Sequence, residues 1–201
     1  KSMGFGRFIV SPGVWGYMLC VQIPYIMLNS FIFYYVPLYG AEQGFSESVT
    51  CLLLMVNSLC SVFFGVGLTN FFVSRFKQAT IYISTAMSLG ALLLFAASPT
   101  VGVLIVTLLI MGISSSFGVS SKSVYFTELP QVRAYGEEQS MGVYNLSDNV
   151  GESVGPMIFG PLMASGNLLV SMGQFVSVIF GAGALYCLGS LRKPKRKKGG
   201  R

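Results

Sequence analysis

A row of carboxylate and amide side chains lies inside an otherwise apolar stretch of this chain. The row consists of Asn145, Asp148, Asn149 and Glu152, whose spacing places all four on one face of a helix. The surrounding stretch, 141–164, is long enough to cross the hydrocarbon core of a bilayer. A carboxylate at the centre of a membrane-spanning helix costs about 2.5–3.5 kcal/mol, so such groups normally face a polar pathway inside the protein.

The composition predicts an integral membrane protein, because 53% of the residues are apolar and only 10% are charged, whereas soluble domains carry about 25% charged residues. Seven of the 13 Lys and Arg residues lie in 192–201. Directly after an apolar segment, such a basic tail is typical of a cytoplasmic anchor beside anionic lipid. Nucleic-acid binding is the weaker alternative, since no aromatic residues are interleaved with these charges.

Six apolar segments follow one another along the chain, and each is long enough to cross a membrane as a helix. We therefore predict an all-α, polytopic membrane protein with a short cytoplasmic linker at 1–12, a six-helix domain at 13–191 and the basic tail at 192–201. The predicted spans are 14–36, 49–73, 79–97, 101–126, 141–164 and 168–191.

The distribution of basic residues predicts that both ends of this segment are cytoplasmic. Basic residues occur before the first span, between the second and third spans, between the fourth and fifth, and in the tail; the first and third connectors have none. Loops rich in Lys and Arg remain on the cytoplasmic side of a plasma or inner membrane. The third and sixth spans are free of charged residues and suit positions facing lipid, which favours two inverted three-helix repeats.

The carboxylates of the fifth span are candidates for carrying a proton during a transport cycle. By helical rise, Asp148 and Glu152 lie about 10 and 16 Å from the start of the span. The alternative is a permanent pairing that fastens helices together. Lys122, in the fourth span, is predicted at a depth similar to that of Asp148. It either forms an ion pair with Asp148, binds an anionic solute, or extends without a partner to the cytoplasmic interface.

Two further groups of residues are candidates for lining a solute cavity. Gln22, Tyr25 and Asn29 share one face of the first span, and Asn145 and Asn149 belong to the row on the fifth. The alternative for the amides is hydrogen bonding between helices.

Other side chains are assigned to packing. The tyrosines at the end of the first span, Tyr34, Tyr35 and Tyr39, are predicted to form an aromatic belt at the outer boundary. Gly151 and Gly155 form a small-xxx-small pair that permits close helix contact. We predict no enzyme activity, no cofactor and no metal, since the chain lacks histidine and a nucleophile motif.

The layout resembles the carboxyl-terminal half of a major facilitator superfamily transporter: six spans, both ends cytoplasmic, a Gly-Pro break in the fifth span and a short basic turn after the second. The family often carries Gly-x-x-x-Asp-Arg-x-Gly-Arg-Arg/Lys at this turn. The present stretch, 67–77, has Asn70 where the acid is expected and Phe71 where the first Arg is expected, with Arg75 and Lys77 as trailing basic residues. The resemblance therefore assigns a gating turn to Asn70, Arg75 and Lys77.

This resemblance implies that the first and fourth spans line a central cavity, the second and fifth pack against an amino-terminal six-helix half, and the third and sixth face lipid. The implied function is transport of a small organic solute by alternating access, with the proton as candidate coupling ion. The amino-terminal half is then expected in the same polypeptide. The alternative is a transporter-like membrane sensor or scaffold domain of a larger signalling protein.

Overall fold

The computed structural model describes residues 4–76, 78–164 and 168–191, and this part of the chain is helical with short turns and no strand. Among the described residues, five helices are long and apolar enough to cross a membrane: Pro12–Glu42, Glu47–Gly65, Ala79–Ala97, Val101–Thr127 and Leu168–Tyr186. The helices, in chain order, are α1 (Phe5–Ile9), α2 (Pro12–Glu42), α3 (Glu47–Phe76), α4 (Gln78–Ala97), α5 (Val101–Thr127), α6 (Pro130–Tyr135), α7 (Glu137–Ala164) and α8 (Leu168–Leu191).

The sequence prediction of long apolar helices is confirmed for five of the six predicted spans. The remaining span lies in α7, a helix of 28 residues and therefore about 42 Å long. It is not among the helices apolar enough to cross, because Asp148 and Glu152 are combined there with two asparagines, two serines and several glycines. Residues 192–201, the predicted tail, lie outside the described residues.

Helix α2 is continuous but widens into a π-helical turn twice, at Met18–Gln22 and at Phe31–Tyr35. Each wide turn ends two residues before a proline, Pro24 or Pro37. A proline ring clashes with the carbonyl group four residues earlier, and those carbonyls belong to the centres of the two wide turns. The π turns relieve this clash without ending the helix, and such turns are frequent at functional sites.

Helix α7 packs closely along α2, and its glycines explain why. A Cβ atom at Gly151 would lie only 2.8 Å from the Cβ atom of Ile26, and one at Gly155 would overlap the side chain of Ser30. In these contacts the residue numbers increase together along the two helices, from Ile26 with Gly151 to Ser30 with Gly155, so α2 and α7 run parallel. The predicted role of Gly151 and Gly155 in close helix contact is confirmed.

Helix α5 lies between α3 and α4, and small residues allow it to approach both. A Cβ atom at Gly112 would lie 2.6 Å from the carbonyl oxygen of Asn57 on α3. On the opposite side, the Ser114 hydroxyl donates to the Ser84 carbonyl at 2.6 Å and lies 2.8 Å from the Ser88 hydroxyl. The hydroxyl groups of α4 thus face the bundle interior, and α8 closes the bundle against α4 and α2.

The connectors gather at two opposite ends of the bundle. At one end, Phe8 of α1 stacks on Tyr135 of α6 with ring centroids 4.6 Å apart. At the other, the Tyr39 hydroxyl donates to the Pro99 carbonyl at 3.0 Å, which joins the first and third connectors.

Two sequence predictions need correction. Asn70 and Arg75 lie within α3, which continues to Phe76, so they do not form a turn; Lys77 lies outside the described residues. Tyr35 and Tyr39 do not face the outer boundary as an aromatic belt. Both are buried and pack edge-on against Phe95, because the second π turn of α2 turns these two rings inward, whereas Tyr34 remains 38% exposed.

The contact between α2 and α7 can be tested with two alanine substitutions on the same helix. We expect Gly151→Ala to lower the free energy of unfolding by about 1–3 kcal/mol, because the new methyl group overlaps Ile26. Gly142→Ala, where no atom lies within 4 Å of the new Cβ, should be neutral or stabilising, since alanine favours helix. Denaturant titration of the full-length protein in detergent measures both, and equal effects would contradict the close contact.

Candidate functional site

A buried polar centre lies where α2, α5 and α7 meet. It brings together four of the residues predicted from sequence: Gln22, Tyr25, Lys122 and Asp148. The Gln22 side-chain amide donates a hydrogen bond from Nε2 to Oδ1 of Asp148. Gln22 and Lys122 are completely buried, Tyr25 is 2% exposed, and Asp148 is half-buried. The centre therefore extends from the bundle interior to its accessible face.

The amine of Lys122 lies against an aromatic ring and has no hydrogen-bond partner among the described residues. Its Nζ atom is 3.2 Å from the centroid of the Tyr25 ring, a cation–π geometry. Asp148 is near enough to interact with it electrostatically, but the carboxylate is hydrogen-bonded to Gln22. The predicted direct hydrogen-bonded ion pair is not formed in this conformation. Extension of Lys122 to the interface is excluded, since none of its surface is exposed.

The Lys122 amine is the incompletely paired group of this centre. Its Nζ atom has no hydrogen-bond partner among the described residues, whereas the Tyr25 side chain interacts with Ser84 and Ser114, and the Gln22 side chain interacts with Tyr144. A buried polar group without a partner costs about 1–3 kcal/mol, more when it is charged. A buried amine at this position therefore needs an explanation beyond packing.

A hydrogen bond to the backbone and a glycine on α5 hold the polar centre in place. The Tyr17 hydroxyl donates to the backbone carbonyl of Lys122 at 2.8 Å, which fixes α5 against α2. Gly118 leaves the space that the Tyr25 hydroxyl occupies; a Cβ atom there would also lie 2.8 Å from Ser84 Oγ. The Tyr25 ring can therefore lie against the Lys122 amine, because Gly118, one helical turn before Lys122 on α5, has no side chain.

The row on α7 faces away from the bundle interior. Asn145, Asn149 and Glu152 are exposed, and Asp148 lies at the edge between this face and the buried one. The buried face of the same helix consists of Tyr144, Ser147, Gly151, Gly155 and Phe159. The sequence pattern thus identified an accessible polar face, and the structure adds that only Asp148 connects it to the interior.

A cleft of about 360 Å³ opens between α2 and α7, farther along both helices. It is lined by Asn29, Ser30, Phe33, Tyr34, Glu152 and Pro156. Tyr34 reaches across to α7, where a Cβ atom at Gly160 would lie 3.5 Å from its hydroxyl. The close contact of Ser30 with Gly155 brings the two helices together beside the cleft.

The predicted site residues thus divide into two neighbouring groups, the polar centre and the cleft, and two further pairs. Gln22, Tyr25, Lys122 and Asp148 form the polar centre, and Asn29 and Glu152 meet in the cleft. Asn145 and Asn149 lie on the exposed face of α7, while Asn70 and Arg75 on α3 belong to neither group. Gln22, expected to face a solute, instead makes the hydrogen bond between helices that was its alternative.

Sequence reasoning missed four lining residues of the cleft: Ser30, Phe33, Tyr34 and Pro156. A signal was present in the sequence, because Phe33 follows Asn29 by one helical turn and Pro156 follows Glu152 by one helical turn.

Comparison of the chain with known protein families, with curated proteins and with solved structures finds no match. Arguments about function therefore rest on the two groups of residues described above.

The unpartnered amine can be tested by replacing Lys122 with an apolar side chain of similar length. We expect Lys122→Met to leave the free energy of unfolding unchanged or to raise it by about 1–3 kcal/mol, since a buried amine without a partner is removed. The lost contact with the Tyr25 ring is worth up to about 2 kcal/mol and limits the gain.

Denaturant titration of the full-length protein measures this change, with Lys122→Ala as the control that also removes the packing of the side-chain stem. A loss of several kcal/mol in Lys122→Met itself would show that the amine has a strong stabilising partner.

Proposed function

We propose that this chain is the carboxyl-terminal half of a secondary transporter of the major facilitator type, with α2, α3, α4, α5, α7 and α8 as six membrane crossings. The single observation that carries the proposal is the polar centre: a buried, unpartnered Lys122 beside a carboxylate that is held by Gln22 and borders an accessible polar face. A purely structural bundle has no need of such a group, since an apolar side chain would be less costly.

Helix α7 is included among the crossings because of its register with α2. Asp148 contacts Gln22, Gly151 contacts Ile26, and Gly155 contacts Ser30. Helix α2 is apolar enough to cross a membrane, so a parallel helix in contact with its central turns lies at the same depth. Parallel directions are also expected for the first and fifth crossings of a chain that passes back and forth six times.

The polar residues on the exposed side of α7 support a water-filled pathway. Carboxylates and amides in the membrane are tolerated where they line a cavity or face another protein surface. We infer that an amino-terminal half covers this face and completes a cavity around Asn145, Asn149 and Glu152. Alternating access then follows from rocking one half against the other, as in transporters built from repeated units.

Asp148 is the proposed coupling group because it alone joins the accessible face to the buried amine. When ionised, it attracts Lys122 and can exchange its bond with Gln22 for an ion pair. When protonated from the accessible side, it no longer attracts the amine, and Lys122 remains on the Tyr25 ring. Protonation of Asp148 thus selects between two arrangements of α2, α5 and α7. Coupling of proton and solute movement requires a protein with two such states.

The coupling role predicts a specific transport defect in Asp148→Asn. We expect accumulation of solute driven by a pH gradient to be lost, because asparagine does not take up a proton. Exchange of solute between the two sides should persist, since exchange does not require release of the proton. Proteoliposomes containing the full-length protein allow both to be measured.

The matched control is Glu138→Gln, an exposed carboxylate in the first turn of the same helix, which should leave accumulation unchanged. Undiminished accumulation in Asp148→Asn would remove Asp148 from coupling. A protein that binds a solute but exchanges none would favour the alternative sensor.

A further inference from the structure

We propose that the cleft between α2 and α7 binds an organic cation, a small solute with a substituted ammonium group. This inference deepens the proposed function by naming the substrate class of the accessible face. It starts from the chemistry of the lining. Glu152 supplies one carboxylate, Phe33 and Tyr34 supply two aromatic rings, and no basic residue is among the six that line the cleft.

A carboxylate beside aromatic faces is the side-chain combination that recognises an ammonium group carrying alkyl substituents. The ring face attracts the charge through its quadrupole and covers the alkyl groups, which a carboxylate by itself leaves in water. Phe33 is 68% exposed and Tyr34 is 38% exposed, so both rings retain surface that a ligand can cover. A cleft of about 360 Å³ is within the size range of small-molecule sites, roughly 300–1,000 Å³.

The backbone adds a second acceptor at the same position. Pro156 has no N–H group to donate to the carbonyl of Glu152, which lies four residues earlier in α7. The Glu152 carbonyl therefore lacks the backbone N–H donor that it would have in a regular helix. It lies on the helical turn between Glu152 and Pro156, which both line the cleft. Carbonyl and carboxylate oxygens of one residue thus add negative potential at the wall opposite the rings.

An anionic solute fits this cleft poorly. Lys122, the basic residue considered for binding an anion, is completely buried in the polar centre and is not among the lining residues. Asn29 contributes a neutral amide that can contact polar substituents of either charge type. The cleft therefore selects against carboxylates through Glu152 and favours cations through the same group.

The proposal is tested by equilibrium binding of radiolabelled tetraethylammonium to the full-length protein in lipid nanodiscs. Glu152→Gln should weaken binding about tenfold or more, because the side chain keeps its shape and loses its charge. Phe33→Leu should weaken binding about fivefold through loss of the aromatic face, and Phe33→Tyr should retain binding.

Two matched controls show whether these effects are local. Glu138→Gln removes a carboxylate at the start of the same helix, and Phe63→Leu removes an exposed ring from α3; both should bind as tightly as the parent protein. Thermal unfolding of every variant verifies that the fold is retained, which is expected because Glu152 and Phe33 are exposed.

Failure of this inference is distinguishable from failure of the proposed function. Absence of tetraethylammonium binding by the parent protein, or unchanged binding by Glu152→Gln, would overturn the cation site. Solute exchange in proteoliposomes is measured separately. Binding of tetraethylammonium without solute exchange would support the cation site and contradict transport. Exchange of another solute without tetraethylammonium binding would support transport and contradict the cation site.

Discussion

The close contact between α2 and α7 is the constraint on which the rest of this structure depends. Glycines at 151 and 155 allow the backbones to approach, so that Ile26 and Ser30 fill the space where other side chains would stand. The same approach brings Asp148 within hydrogen-bond reach of Gln22. Helix packing in lipid relies on van der Waals contact and interhelical hydrogen bonds, since burial of apolar surface gives little driving force there. The cleft and the hydrogen bond between Gln22 and Asp148 both depend on this contact.

The two groups of residues lie at neighbouring positions along α7. Asp148 and Glu152 are separated by one helical turn, about 6 Å along the axis, yet their surroundings differ. Asp148 is hydrogen-bonded to Gln22 and interacts electrostatically with a buried amine, whereas Glu152 lines an accessible cleft with aromatic walls. We therefore propose different roles for them, the first in coupling and the second in solute recognition.

Much of the fold was predictable, and the reasons are physical. Length and hydropathy define five apolar helices directly, and glycine spacing identified the contact face of α7. The inward rotation of Tyr35 and Tyr39 was not predictable from a regular helical period, because two proline-induced π turns shift the faces of α2. The pairing of Gln22 with Asp148, rather than Lys122 with Asp148, depends on three-dimensional packing around Tyr25. Arg75 was misplaced because α3 extends three residues beyond its predicted apolar stretch, whereas Asn70 lies inside that stretch and was assigned to a turn through the family resemblance.

The central claim is that the exposed row of α7 faces water within a membrane-embedded protein, and cysteine labelling tests it most directly. Cysteines are placed singly at 149 and 152, and at 147 as a control on the same helix, in a full-length protein without other cysteines. A membrane-impermeant maleimide is then applied to either side of the membrane. We predict that positions 149 and 152 are labelled and that bound solute protects 152, while position 147, where Ser147 is only 7% exposed, reacts more slowly. If cysteines at 149 and 152 react from neither side of the membrane in a transport-competent protein, the claim is contradicted.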